Sequence, residues 1–441
     1  MAEGTIDDPL TLSEALTSGR IRPGHTVYLR GGTHALTGDL TATLSGTAEL
    51  PIVIRPYQNE EVAIDVGTFD LMISGAHLTF YDIRIFSSDT QGRESEEYTS
   101  SPSDVYLGHF SIVGNEINLF GCVIHDVANV GQWASGPGGH WADCVVYNCG
   151  WLAPGGAGPW GHSLYSQNLT STRYFTRCMW GPSYGTVGVR GSTAANLYHY
   201  RFSENVCLHA NPRLGGYGAT IHDAQFTDSV LLRSPVHLEF AAVDDGLIFS
   251  RNFVETTGHL RTQKLAGLVF TYNEWIQDNL WLLLMSLNDD GQIGTFDYNT
   301  YYGPEERRRL DDVYYDSLAV FQADTGQETH SSRMADPPAA RTWVFECEHS
   351  LYKKAFIAMY DRSEPESVTF DVSGLQLVPG ASYKLRSGYD YLGDTEDIEY
   401  DGSGAITVSM AGRTVAVPNG AEAALVEVNP TVGAWTLERI A

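Results

Sequence analysis

FSRNFVETTGHLRTQKLAGLVFTYN, residues 249–273, begins and ends on one four-residue figure: a bulky apolar residue, a pair of small or polar residues, then a residue of restricted type. The figure recurs outward in both directions as FYDI at 80, LFGC at 119, WADC at 141, FTRC at 175, FSEN at 202, FTDS at 226 and FDYN at 296. Successive blocks lie 39, 22, 34, 27, 24, 23, 21 and 26 residues apart. A floor near 21 residues with occasional long excursions describes a fixed structural turn carrying loops of variable length. Each block sits in an alternating, strand-like run near Gly, Asn or Pro, and no helical period competes there.

Coiling such a unit stacks equivalent residues of successive turns one strand spacing apart, roughly 4.8 Å, so like residues form ladders. The fourth block position reads Cys122, Cys144, Cys178, Asn205, Ser229, Asn252, Asn273 and Asn299. Three cysteines in one column read as a packed interior stack of reduced thiols; a disulfide would leave one of the three unpaired. The Asn and Ser residues read as a hydrogen-bonded ladder at a tight turn, where asparagine tolerates left-handed backbone.

The asparagine column, the rungs of 21 to 27 residues and GHSLYSQN at 161 resemble the right-handed parallel β-helix proteins of the pectate-lyase-like superfamily. The opening is similar too: PLTLSEAL at 9 followed by RPGHTVYLRGG at 22 looks like the short helix that covers the open end of such a coil. Thr11 and Glu14 have capping-box spacing, and an uncovered sheet edge invites aggregation. The resemblance covers roughly residues 5 to 335. It implies a fold more than a chemistry, since the superfamily holds lyases, hydrolases, epimerases, esterases and non-catalytic phage spikes.

RMADPPAAR at 333 breaks the rung pattern and sets an expected boundary, with a β-helix over 1–335 and a second unit over 341–441. Beyond it, TWVFECE, KAFIAMYD, SVTFDVSG, SYKLRS, AITVSM, TVAVP, AALVEV and AWTLERI read as short antiparallel strands. The fold class expected is therefore all-β: a right-handed single-stranded parallel β-helix followed by a small antiparallel β-sandwich. That sandwich resembles modules following β-helices in bacterial carbohydrate-active proteins. It is expected to act as a stabilising cap, since no aromatic cluster marks a sugar platform, with a glycan-binding accessory as the alternative.

Composition narrows the partners. The 441 residues include 54 acidic against 27 basic ones, a net charge of −27, which repels nucleic-acid phosphates. No apolar run approaches the roughly 20 residues of a membrane helix. The start, MAEGTIDDPL, lacks the regions of a signal peptide, so the chain is expected to be intracellular, trimmed, or released by another route, and of these an extracellular or phage-associated location is the expectation. The six cysteines show no CxxC pair and no zinc spacing. No coiled-coil stem sets an oligomeric state.

In a β-helix strand, alternate residues point into the coil and out to solvent, so an outward column forms a groove surface. Aligning HSLYSQN at 162, GTVGVRG at 185, RLGGYG at 213, PVHLEF at 235 and GHLRTQK at 258 turns Leu164, Val187, Val189, Leu238 and Leu260 inward. The outward set is then Tyr165, Arg190, His237, Glu239, His259 and Arg261, with Arg213, Tyr217 and Lys264 at its edges. Lys264 is the only lysine in the first 350 residues. The loop WLAPGGAGPWGH at 151 offers a wall bearing His162, with Trp151 or Trp160 to lie against a sugar face. The HisAsp pairs at 125–126 and 222–223 fall near turns and read as structural.

Two chemistries fit this column, and both take a polysaccharide. β-Elimination on a uronic acid polymer needs a cation to neutralise the carboxylate, a base for the adjacent proton and a donor for the leaving oxygen. Arg261 and Arg190, His237 or Lys264, and Tyr165 supply these without metal. Hydrolysis needs two carboxylates, with Glu239 as one and Asp223, Asp244, Asp245 or Glu255 as its partner. A calcium-dependent variant needs an outward acidic cluster, of which Asp244 and Asp245 are the only trace. The expectation is a polysaccharide lyase, with a glycoside hydrolase or a non-catalytic glycan-binding spike as alternatives.

Overall fold

In a computed structural model of the chain, the described residues are 4–97, 103–105, 109–127, 133–152, 162–168, 170–184, 187–189, 197–215, 221–238, 245–256, 258, 260–263, 267–277, 281–286, 294–303, 307–393 and 395–440. Among them, the chain up to Met334 builds three long sheets of 11, 12 and 12 strands. Each sheet takes every third strand in chain order, except that the third ends on an antiparallel hairpin partner, Val313–Tyr315, so the chain visits a first, a second and a third wall in turn and climbs one strand spacing per circuit. This is the expected parallel β-helix.

The nine blocks form the corner between the first and second walls. Phe80, Leu119, Trp141, Phe175, Phe202, Phe226, Phe249, Phe270 and Phe296 are successive register partners. From Phe175 to Phe296 their rings stack at centroid separations of 4.4 to 5.4 Å. Each such pair stabilises by about 0.5–1.5 kcal/mol beyond simple burial.

The fourth-position ladder is present, and its hydrogen bonds run along the axis. Asn273 Oδ1 accepts the main-chain N–H of Asn252 at 3.0 Å, and the N–H of Asn273 donates to Asn299 Oδ1 at 2.9 Å. Ser229 Oγ and Asn252 Oδ1 continue the chain of acceptors toward Asn205. The cysteines lie buried and unbridged above it. The left-handed residue, however, is the third of the block, not the asparagine. Asp82, Gly121, Asp143, Arg177, Glu204, Asp228, Arg251, Tyr272 and Tyr298 all have φ between 48° and 67°. That corner turns the fourth side chain inward, where asparagine satisfies main-chain groups that water cannot reach.

Both ends of the coil are covered by helices. The helix α1, Leu12–Thr17, carries the expected capping box: Thr11 Oγ1 accepts from Glu14 N at 3.2 Å and Glu14 accepts from Thr11 N at 2.9 Å. Leu12, Ala15 and Leu16 join the coil core. At the far end, α2, Leu318–Thr325, buries Leu318 and Phe321 in that same core. No helix among the described residues is long and apolar enough to cross a membrane.

The C-terminal strands form a five-stranded antiparallel sheet and a two-stranded one, with an apolar core between them. In strand Lys354–Asp361, Ile357 and Met359 face that core while Phe356, Ala358 and Tyr360 face the second wall of the coil. The unit therefore lies along the flank of the coil instead of capping its end. TVAVP and AALVEV are not strands. Val415, Ala416, Val426 and Val428 pack as irregular chain against the junction. Thr395–Glu399 is a strand, at the sheet edge.

Candidate functional site

The third wall carries the groove-facing column. Its register runs Ser111, Trp133, Tyr165, Gly188, Arg213, His237, Arg261, Leu284 and Arg309, one residue per coil. The residues beside them, Ala134, Leu164, Leu214, Leu238, Leu260 and Thr262, are buried, whereas Tyr165, Arg213 and His237 are half-buried and Arg261 is exposed. The alternation follows from strands only two to four residues long, each placing one outward residue at its centre or start.

The expected inward and outward assignment thus holds for Tyr165, His237 and Arg261. Arg213 was expected at the edge of the column and stands inside it, as the direct register partner of His237. Arg190, Tyr217, Glu239, His259, Lys264 and Trp160 lie outside the described residues. His162 was expected to line the groove but is only 4% exposed. Its ring stacks on Tyr165 at 5.6 Å, so it supports that phenol from beneath. Trp151 is fully buried against Val105 and offers no sugar platform.

The aromatic surface comes instead from Trp133, 37% exposed, whose ring lies 5.2 Å from that of Tyr165. Sequence reasoning missed it because the strand Trp133–Ala134 is only two residues long and shows no alternation of its own. Beneath this pair, Arg173 is buried and donates to the carbonyls of Gly138 at 2.8 Å, Ala134 at 2.9 Å and Gln167 at 3.0 Å. Those bonds fix the chain that leaves Trp133 and Tyr165. Gln167 Nε2 donates to the Tyr165 hydroxyl at 3.2 Å, leaving the phenol proton to donate elsewhere.

Spacing divides the column into two parts. Tyr165 stands three coils from His237, roughly 14 Å at the ordinary strand spacing. A proton donor at that distance cannot serve a bond within reach of His237, which corrects the pairing expected for them. Arg213, His237 and Arg261 occupy three adjacent coils and form the compact group.

Of the carboxylates proposed for hydrolysis, Glu239 and Asp244 lie outside the described residues, and the other three lie on other walls. Asp223 lies on the first wall, bound to Arg201 at 2.7 Å and to His199 at 2.8 Å. Asp245 is also on the first wall, in register with His222. Glu255 is buried on the second wall and pairs with Arg233 at 3.1 Å. The in-register column holds no carboxylate among the described residues. Among the described residues, no group of three or more His, Cys, Asp or Glu is placed to hold a metal ion. His125 and Asp126 bond each other at 2.6 Å in a buried setting, consistent with a structural pair.

No family model matches the chain. A stretch of 64 residues, 14% of the chain, is 48% identical to pectate lyase PEL9 of Emericella nidulans and spans 15% of that relative's length. Among solved structures, the PL6 family alginate lyase AlyGC aligns with TM-score 0.42 and 13% identity over 74% of this chain and 52% of that one. A GH136 lacto-N-biosidase from Eubacterium ramulus aligns with TM-score 0.37 and 12% identity over 76% of this chain and 65% of that one. The chain is similar over that one stretch to a pectate lyase. At these TM-scores the fold rests on the strand register itself.

Proposed function

We propose that the chain binds an acidic polysaccharide along the third wall and cleaves it by β-elimination at the Arg213, His237 and Arg261 group. The observation that carries this reading is the register that sets a histidine between two arginines on adjacent coils, with no carboxylate in register with them among the described residues. Two guanidiniums flanking the histidine suit one uronate carboxylate, which they would bind as a planar anion and stabilise as negative charge spreads into it. That makes the adjacent C–H acidic. His237 takes the proton, the C–H electrons form the carbon–carbon double bond, the glycosidic C–O bond breaks, and the proton returns to the departing oxygen.

Trp133 and Tyr165 then hold a sugar several coils away by ring contact. The 48% identity of one stretch to a pectate lyase supports this class of substrate. Digestion in heavy-oxygen water tests the reaction type. Elimination leaves every product free of solvent oxygen, whereas label at the new reducing ends identifies a hydrolase.

A further inference from the structure

We propose that the cavity between the second wall and the C-terminal sheet is a second binding site, for an acidic sugar of one or two rings. The cavity encloses about 460 Å³, within the range of small-molecule sites. One side is the coil surface around Ile83, Arg84 and Val123, and the other is the sheet bearing Lys354, Arg386 and Tyr391. The proposal is independent of the chemistry proposed for the third wall.

Charge is the first argument. Basic residues Arg84, Lys354, Lys384, Arg386 and Arg439 line the cavity against the acidic Glu61, Asp82 and Glu438. The whole chain has 27 basic to 54 acidic residues, so the ratio is reversed locally, and two of its four lysines stand here. In a protein of net charge −27, such a reversal marks a place built for an anion.

The pairing on the floor is the second argument. Lys354 Nζ lies 3.2 Å from Glu438 and Arg386 Nε lies 3.0 Å from the same carboxylate, which also accepts from the Tyr391 hydroxyl. Asp82 is already engaged by Ser350 Oγ at 2.6 Å and by the N–H of Leu351 at 2.7 Å. Lys354, whose side chain is 3% exposed, has three donors and one ion pair among the described residues. Arg84 sits 4.8 Å over the Phe86 ring and makes no ion pair to a described residue. An incoming carboxylate would complete these donors.

The walls decide between an organic and an inorganic anion. Ile83, Val123, Tyr352 and Tyr391 present apolar and aromatic surface that a hydrated inorganic ion does not need. Asn59 and Thr33 add neutral polar groups suited to sugar hydroxyls.

Calorimetric titration with glucuronate, glucose and inorganic phosphate tests the site, in the unaltered protein and in Arg261→Ala. Glucuronate is expected to bind saturably in both, and neither glucose nor phosphate to match it. Arg84→Gln is expected to weaken glucuronate about tenfold or more without changing the melting temperature. Should that variant fail to fold, Lys384→Gln at the solvent side replaces it, with weakening in the same direction expected. Absence of saturable glucuronate binding, phosphate binding as tight as glucuronate, or binding lost in Arg261→Ala and kept in the cavity variants would each overturn the proposal. Because Arg261→Ala alters only the third wall, failure there and failure in the cavity are separate results.

Discussion

His237 and Arg261 are main-chain register partners on adjacent coils, and Arg213 partners His237 from the other side. The sequence separations are 24 residues each, yet the three side chains leave one wall within two strand spacings, roughly 10 Å.

Removing either arginine should cost transition-state stabilisation more than binding, because charge on the uronate grows during elimination. Arg261→Ala and Arg213→Ala are each expected to lower kcat/KM on a polyuronate about 100- to 1,000-fold, with polymer retention in affinity electrophoresis only partly reduced. His237→Ala should abolish turnover while retaining binding.

Trp133 lies too far from His237 to act on the same bond. Trp133→Ala is therefore expected to raise KM severalfold, about what an aromatic contact of ~1 kcal/mol supplies, with kcat nearly unchanged. Initial rates over a range of polymer concentrations separate the two constants.

The ladder is expected to bear much of the coil's stability. Asn273→Leu would strand the N–H of Asn252 and the carbonyl of Phe249, to which Asn273 Nδ2 donates at 3.1 Å. A loss of about 2–4 kcal/mol is expected. Asn273→Ser should cost less, since Ser229 fills the same role on its own rung by accepting from Asn205 N at 3.0 Å. Urea unfolding of the three proteins measures the difference.

The junction between coil and C-terminal sheet should weaken in acid. Burial, helped by Arg233, pushes the His209 imidazole down to about 4; burial, then His349 and Arg177, does the same to His140, also to about 4. Unfolded histidine titrates near 6.5. With the folded value depressed, the unfolded chain takes up protons first as pH falls. The stability these groups contribute is full above about 6.5 and is lost as pH falls toward 4. His209, whose Nε2 lies 3.1 Å from the Tyr389 hydroxyl, holds the two units together. The melting temperature is expected to drop across this window, and His209→Gln should flatten the drop.

What could be read from the residues was whatever repeats. Nine blocks and a two-residue alternation settle the coil, its inward face and the Asn ladder, because stacking makes like residues neighbours. The left-handed corner escaped that reading. Its position holds Asp, Glu, Arg, Tyr or Gly, chosen for partners on adjacent coils, as when Arg251 binds Asp228 at 2.6 Å, and not for backbone preference. Arg213 was misplaced because the intervals vary and the alignment of RLGGYG slipped at its glycines. The flank position of the C-terminal unit depends on a strand buried on both faces, which alternation alone cannot distinguish from a sandwich strand. Thr395–Glu399, TEDIE, lacks apolar alternation because charged residues protect an edge.

The most direct measurement is the absorbance of unsaturated uronate ends while the protein is incubated with alginate, pectate and glycosaminoglycans. The account predicts a rise with at least one of these polymers, and its near loss in Arg261→Ala with the fold intact. No rise with any polyuronate, alongside reducing ends released from neutral glycans, would contradict it, and so would an undiminished rise in Arg261→Ala.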